Sequence, residues 1–272
     1  LVKARDLSDK LSFGIHGKRK RGLGNVFWQF KNYQHGDELK LINWKKSAKA
    51  DEIFVRENEL EMAQTFYFYI DTSLSMSYAL NEKLLTKGDY ATILTLALSI
   101  ILINAEEKII FLNTLERKTM TLATIEQLEP SLTANNFNLI NLEENILSLK
   151  NHSVLIIASD FLDDITKIRH ILELAEEKNI KVLFLAIYDH AEIYFPFKNR
   201  ILLNFLEEDN EQLFEKAKTV KEIYLKRFTE HQQQIKDLCF KHNAKHFSTI
   251  NSQDPVDILA NVLNYLTSYT HD

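Results

Sequence analysis

The sequence predicts an α/β fold: a mostly parallel sheet flanked by helices, with a small β-containing extension at its N-terminal end. Three observations predict it. SVLIIAS (153–159) and KVLFLAIY (181–188) are continuous apolar runs, the pattern of strands covered on both faces. Amphipathic helical stretches separate the strands, the alternation that builds parallel crossovers. Five of the six glycines (Gly14, Gly17, Gly22, Gly24 and Gly36) fall in the first 36 residues, Gly88 being the sixth. A turn-rich segment therefore gives way near residue 60 to long regular elements. The expected division is residues 1–61 as an extension packed on the main domain, and 62–272 as that domain.

The elements follow in order. TFYFYI (65–70) is a short aromatic-rich strand, and a helix runs through about 86–104. KIIFLN (108–113) is the next strand, and the alternation in RKTMTL (117–122) predicts another. TIEQLEPSL and LINLEENILSL read as helices, the first broken at Pro130. After SVLIIAS, Ile165, Ile168, Ile171, Leu172 and Ala175 share one face of an amphipathic helix. KVLFLAIY is followed by a long helical stretch over about 210–242, and KHFSTI is the last strand. Asp254-Pro255 has the chemistry of an N-cap and first helical position, with Ile258, Leu259, Val262, Leu263 and Leu266 turned inward.

An apolar fraction of 45% in 272 residues is ample for a core. The net charge of -5 speaks against a dedicated nucleic-acid binder. The one cysteine, Cys239, excludes an internal disulfide and a cysteine metal cluster and reads as a packed thiol in a helix. It fits a reducing compartment, and with no signal-peptide pattern at the start a cytoplasmic location is expected. The longest apolar run, YATILTLALSIILINA (90–105), is shorter than the roughly 20 residues of a membrane span and carries Thr92, Thr95, Ser99 and Asn104, so it reads as a buried helix.

Function is sought where strands end, because open parallel sheets bind ligands at their carboxyl edge. TFYFYI runs into Asp71, Ser73 and Ser75, and LIIAS runs into Asp160. Carboxylates and hydroxyls are the ligands a hard divalent cation takes, and alternation along a tight loop turns Asp71, Ser73 and Ser75 to one side. A strand-end aspartate followed by serine is also how a helix acquires its N-cap, and such caps are common.

The Asp71-x-Ser73-x-Ser75 run with a later Asp160 resembles the metal-ion-dependent adhesion site of von Willebrand factor A domains. The N-terminal stretch narrows the likeness. Phe30, Tyr33, Gly36-Asp37, Ile42-x-Trp44, Ser47-Ala48 and Glu57 to Glu61 are similar to the signature block of the prokaryotic family catalogued as domain of unknown function fifty-eight. Asp189 and Glu192 before Phe195-Pro196, and Tyr224, continue the match. The resemblance implies a Rossmann-like von Willebrand A-type domain and Mg²⁺ (or Mn²⁺ or Ca²⁺) held by Asp71, Ser73, Ser75 and Asp160. It also implies a non-enzymatic adaptor working beside an AAA+ ATPase of the MoxR type, with an acidic partner residue completing the coordination. One position departs: Phe137 stands where the A-domain site takes a threonine, and a phenyl ring cannot ligate a cation. Asn136, Asn138, Thr133 or water are the substitutes in reach.

Other features have plainer readings. HGKRKRGLG (16–24) reads as a solvated basic loop; as a functional element it would grip phosphates, acidic partners or a membrane surface. Trp44 among lysines reads as a buried anchor of the extension rather than a base-stacking platform. Nine scattered histidines form no HExxH, and neither serine lies in GxSxG, which sets a metal-dependent hydrolase or phosphotransfer enzyme second to the interaction reading. FPFKNR (195–200) and ILLNFL read as an excursion beyond the sheet, either a partner surface or packed on the extension.

Overall fold

A computed structural model describes residues 1–16, 27–34, 39, 42–50, 52–58, 63–114, 117–133, 139–198, 201–205, 210–214 and 217–269. Its contacts divide the chain into two units, Leu1–Leu11 with Gln64–Asp272, and Ser12–Ala63. Helix α1 (Val2–His16) occupies residues the glycine pattern marks as turn-rich, and buries Ala4, Leu7 and Leu11.

The larger unit is built on five parallel strands in the order β4-β3-β5-β6-β9: β3 (Thr65–Ile70), β4 (Lys108–Phe111), β5 (Val154–Ser159), β6 (Lys181–Tyr188) and β9 (Lys245–Ile250). Every residue of β3 and β5 is buried, which is why both read as continuous apolar runs. The helices of this unit are α3 (Lys87–Asn104), α4 (Leu122–Thr133), α5 (Leu139–Ile146), α6 (Ile165–Glu177), α7 (His190–Tyr194), α8 (Ala217–Lys241) and α9 (Pro255–Tyr269).

Helix α3 is apolar on all sides and mostly buried; by length and composition it could cross a membrane. Its buried hydroxyls are satisfied within the helix, Thr92 donating to the Gly88 carbonyl, Thr95 to Ala91 and Ser99 to Leu96. Buried Cys239 lies on α8 as expected, and burial pushes its thiol up to about 12.

Four element readings need correction. Residues 117–121 form no strand: Met120 donates one bond to the Ile109 carbonyl and the chain then enters α4. Helix α4 runs through Pro130 despite the lost amide donor and the crowding of the carbonyl four residues back, and Ile125, Leu128 and Leu132 are buried along it. Only Ala217–Lys241 of the stretch 210–242 is helical, because residues 210–214 pair as β8 (Asn210–Phe214) with β7 (Ile201–Phe205), antiparallel. Phe195 is buried with Ala217, and Phe197, Val220, Tyr224 and Leu225 pack against the pair, so the Phe195 ring is not an open partner surface.

His246 on β9 is largely enclosed, and no hydrogen-bond partner among the described residues meets its Nε2. Burial, with Lys236 adding to it, lowers its pKa to about 4. The folded state therefore favours the neutral ring, and its contribution is present above the unfolded pKa of ~6.5 and lost as pH falls toward 4. Between pH ~7 and ~4 the wild type is expected to lose on the order of 2–3 kcal/mol relative to His246→Gln, read from urea midpoints. Equal losses would place His246 in contact with water.

The smaller unit contains the antiparallel pair β1 (Phe27–Asn32) and β2 (Phe54–Asn58), and the short helix α2 (Trp44–Ser47). Ile42 bridges to Val55, and both are buried. Ser47 joins helix to strand: its hydroxyl accepts from the Phe54 amide and donates to the Asn43 carbonyl. The Lys46 ammonium lies 3.9 Å from the Phe30 ring centroid and 4.4 Å from that of Phe54. Trp44, expected buried, is 66% exposed. It opens a single-turn helix whose packing is done by its neighbours Ile42, Lys46 and Ser47.

Candidate functional site

The carboxyl edge of the sheet gathers the expected residues. Asp71 follows β3 and keeps the ladder for one more bond, its amide donating to the Ala158 carbonyl at 2.8 Å. A 3-10 turn, Leu74–Ser77, follows. Asp71 accepts the Ser73 amide (2.9 Å) on Oδ1 and the Ser159 hydroxyl (2.6 Å) on Oδ2. The Ser73 and Ser75 hydroxyls lie 3.1 Å apart and hydrogen-bond each other. Asp160 follows β5; its Oδ1 accepts the Leu162 amide at 3.2 Å. Asp71, Ser73 and Asp160 are buried, and Ser75 is half-buried. The structure thus brings all four residues to one edge.

Phe161, next in line, adopts a left-handed conformation (φ 52°). Its buried ring stacks on Phe184, with centroids 4.2 Å apart. Its carbonyl meets His231 Nε2 at 2.8 Å, and its amide donates to the Ser159 hydroxyl at 2.9 Å. The turn that aims Asp160 is therefore anchored from two sides.

Sequence reasoning missed the residue at the centre. Lys87, the first residue of α3, is fully buried, with Nζ 2.6 Å from Asp160 Oδ2 and 2.6 Å from Glu192 Oε1. Thr86 caps the helix by accepting the Asp89 amide, and the Lys87 amide donates to the Tyr78 carbonyl. Gly88 lets this end approach the 3-10 turn, since a Cβ there would stand 3.3 Å from the Met76 carbonyl oxygen. The signal was present: a cation at a helix N-terminus opposes the dipole, and a lysine opening an otherwise apolar helix needs a buried partner.

Asp189 and Glu192, quoted above only for their likeness, complete the network as a capping box on α7. Glu192 Oε2 accepts the Asp189 amide at 2.8 Å. Asp189 accepts the Ala191 amide on Oδ1, and the Leu80 amide and Asn251 Nδ2 on Oδ2. Asn251 also donates to the Leu85 carbonyl, so the turns after β3, β6 and β9 are tied together.

Burial pushes the Asp71 carboxyl up to about 7; the nearby Asp160 adds to the rise, and bonds from Ser159 and Ser73 oppose it. Burial favours the neutral form of Lys87, but the carboxylates of Asp160 and Glu192 outweigh it, and the ammonium is held above its ordinary range. Glu192 is also pushed up, because its burial exceeds the pull of the ammonium beside it.

These facts test whether the donor set fits a divalent cation. Every carboxylate oxygen of Asp71, Asp160 and Glu192 already accepts a protein donor. An ion about 4 Å from the Lys87 ammonium would meet about 8 kcal/mol of repulsion from that charge alone, at an effective dielectric constant of about 20. Beside a protonated Lys87, a Mg²⁺ ion would have to displace donors from these oxygens and meet that repulsion, so the donor set as arranged fits the ammonium better. Among the described residues no group of three or more His, Cys, Asp or Glu is placed to hold a metal ion. Phe137, Asn136, Asn138 and the basic run Lys18 to Arg21 lie outside the described residues, as does the side chain of Thr133.

Three large side chains on the segments that follow these strands are exposed: Leu74 after β3, Leu162 after β5 and Tyr194 on α7 after β6. A separate cleft lined by Arg5, Ile100, Asn104, Leu122 and Ile125 lies at the other end of α3, about 25 Å away along the helix.

Comparison with solved structures finds BatB from Bacteroides thetaiotaomicron, described as a conserved hypothetical protein. It is 12% identical with a TM-score of 0.47, over 77% of this chain and 100% of that one. An aerotolerance-related membrane protein from Bacteroides fragilis NCTC 9343, carrying multiple mutations to serines, is 14% identical with a TM-score of 0.44. It covers 76% of this chain and 100% of its own. An uncharacterized membrane spanning protein from Vibrio fischeri is 12% identical with a TM-score of 0.19, over 75% and 99%. No curated protein matches the chain. The family described as protein of unknown function DUF58 matches residues 29–234, well over half of the sequence, and the chain belongs to that family.

Proposed function

We propose that this chain is a non-enzymatic interaction module of von Willebrand A type, and that it docks a protein partner on the carboxyl edge of its sheet. The partner class is an AAA+ ATPase of the MoxR type, which rests on the family resemblance. The observation that carries the reading is the build of that edge. Lys87 bonds Asp160 and Glu192, Glu192 bonds the Asp189 amide, Asp71 is held by Ser159 and Ser73, and Leu74, Leu162 and Tyr194 are exposed on the segments that follow the same strands. A rigid polar floor with an apolar rim is a preorganised docking surface, and anchors of this kind carry most of the energy of an interface. A serine hydrolase would need a base beside its nucleophile, whereas the Ser73 hydroxyl hydrogen-bonds that of Ser75.

The test is binding of the full chain to a purified MoxR-type ATPase, by interferometry. Saturable binding is expected, weakened about tenfold or more by the triple change Leu74→Asp, Leu162→Asp and Tyr194→Asp. Because the three side chains are exposed, the midpoint of thermal unfolding should hardly move. Unchanged affinity in the triple variant would remove this edge as the docking surface. Turnover on a phosphoester panel that Asp71→Asn abolishes would replace the reading with an enzymatic one.

A further inference from the structure

Lysine is among the residues least often fully buried, and a helix N-terminus is the least favourable end for a cation. Lys87 has both disadvantages, and its Nζ is held 2.6 Å from Asp160 and 2.6 Å from Glu192. Opposite it, Asp71 and Asp160 come from adjacent strands, where like charges need a counter-ion. Three carboxylates and one ammonium are thus enclosed together, and each carboxylate oxygen has its own donor.

We infer that Lys87 is the resident cation of this site: its ammonium supplies part of the positive charge that a divalent ion would bring, and its presence keeps such ions out. The strand-end turns are then assembled without metal. Replacing the lysine with a neutral side chain turns the same oxygens into a site for Mg²⁺ or Mn²⁺. The inference concerns the site alone and stands or falls separately from the docking of a partner.

The experiment titrates Mn²⁺ into the full-length wild type, Lys87→Ala and Asp71→Asn by calorimetry, with unfolding midpoints read in chelator and in millimolar Mn²⁺. The wild type should show no saturable binding that Asp71→Asn removes, and its midpoint should be the same in both conditions. Lys87→Ala should have a lower midpoint in chelator, regain part of it in Mn²⁺, and bind Mn²⁺ at least about tenfold more tightly than the wild type. Lys87→Met, which keeps the length of the stem and removes the charge, is the second variant if alanine prevents folding. Saturable Mn²⁺ binding to the wild type that is lost in Asp71→Asn would overturn the inference. A folded Lys87 variant that gains no Mn²⁺ affinity would overturn it as well.

Discussion

Lys87→Met, studied in chelator, is expected to lower the unfolding free energy by about 3–5 kcal/mol. The loss does not measure the ion pair itself. It is the cost of leaving Asp160 and Glu192 enclosed without the ammonium that both contact at 2.6 Å. Asp160 is buried and Glu192 only slightly exposed, so neither recovers its hydration without local opening. The prediction has a second arm. Neutralising the acids in the same background, with Asp160→Asn and Glu192→Gln, removes the uncompensated charge and should restore most of the loss. Urea unfolding at constant m reads both arms, and in a domain of this size the single variant should melt roughly 10 °C lower. A single variant within about 1 kcal/mol of the wild type would show that water reaches Lys87 and that the network is ornamental.

Phe161→Ala should cost a similar amount, about 3–5 kcal/mol, through the cavity left where the ring stacks on Phe184. A contrast with glycine separates packing from backbone. Phe161 holds φ at 52°, a conformation that costs a residue with a Cβ about 1–2 kcal/mol. Glycine is ordinarily the worse replacement by about 0.5–1 kcal/mol for reasons of chain entropy. At this position Phe161→Gly should therefore be no less stable than Phe161→Ala. If glycine is worse by its usual margin, the left-handed turn carries no strain.

The middle of the sheet was legible because β3, β5 and β6 are buried on both faces and so lack alternation; VLIIAS and VLFLAIY admit few other readings. The site's carboxylates were legible for the same reason, since an aspartate that ends such a run must sit at the sheet edge. What failed was short or locally ambiguous. RKTMTL has the two-residue period of a strand but makes a single bond to β4 before α4 begins. The segment 210–214 lies next to a strong helix pattern and was absorbed into it, although it pairs with Ile201–Phe205. Gly14 suggested a turn, yet it lies within α1. Lys87 was missed for a different reason: its partners, Asp160 and Glu192, are 73 and 105 residues away. No local period reports a pairing that only the crossover topology creates.

Helix α3 has a consequence for synthesis. It packs against β3, β4, α4, β5, β6 and α9. Three of these neighbours are encoded before residue 134, but β5 and β6 come later, and α9 begins only at Pro255. The chain must therefore grow by about 150 residues after Asn104 before the last cover for this helix exists, which takes roughly 8–30 s at 5–20 residues per second. Throughout that interval the nascent chain displays a segment with the length and apolarity of a membrane span. Ribosome-bound chaperones and the membrane-targeting machinery compete for such a segment. Until the later elements emerge, β3, β4 and α4 are the neighbours available to cover it.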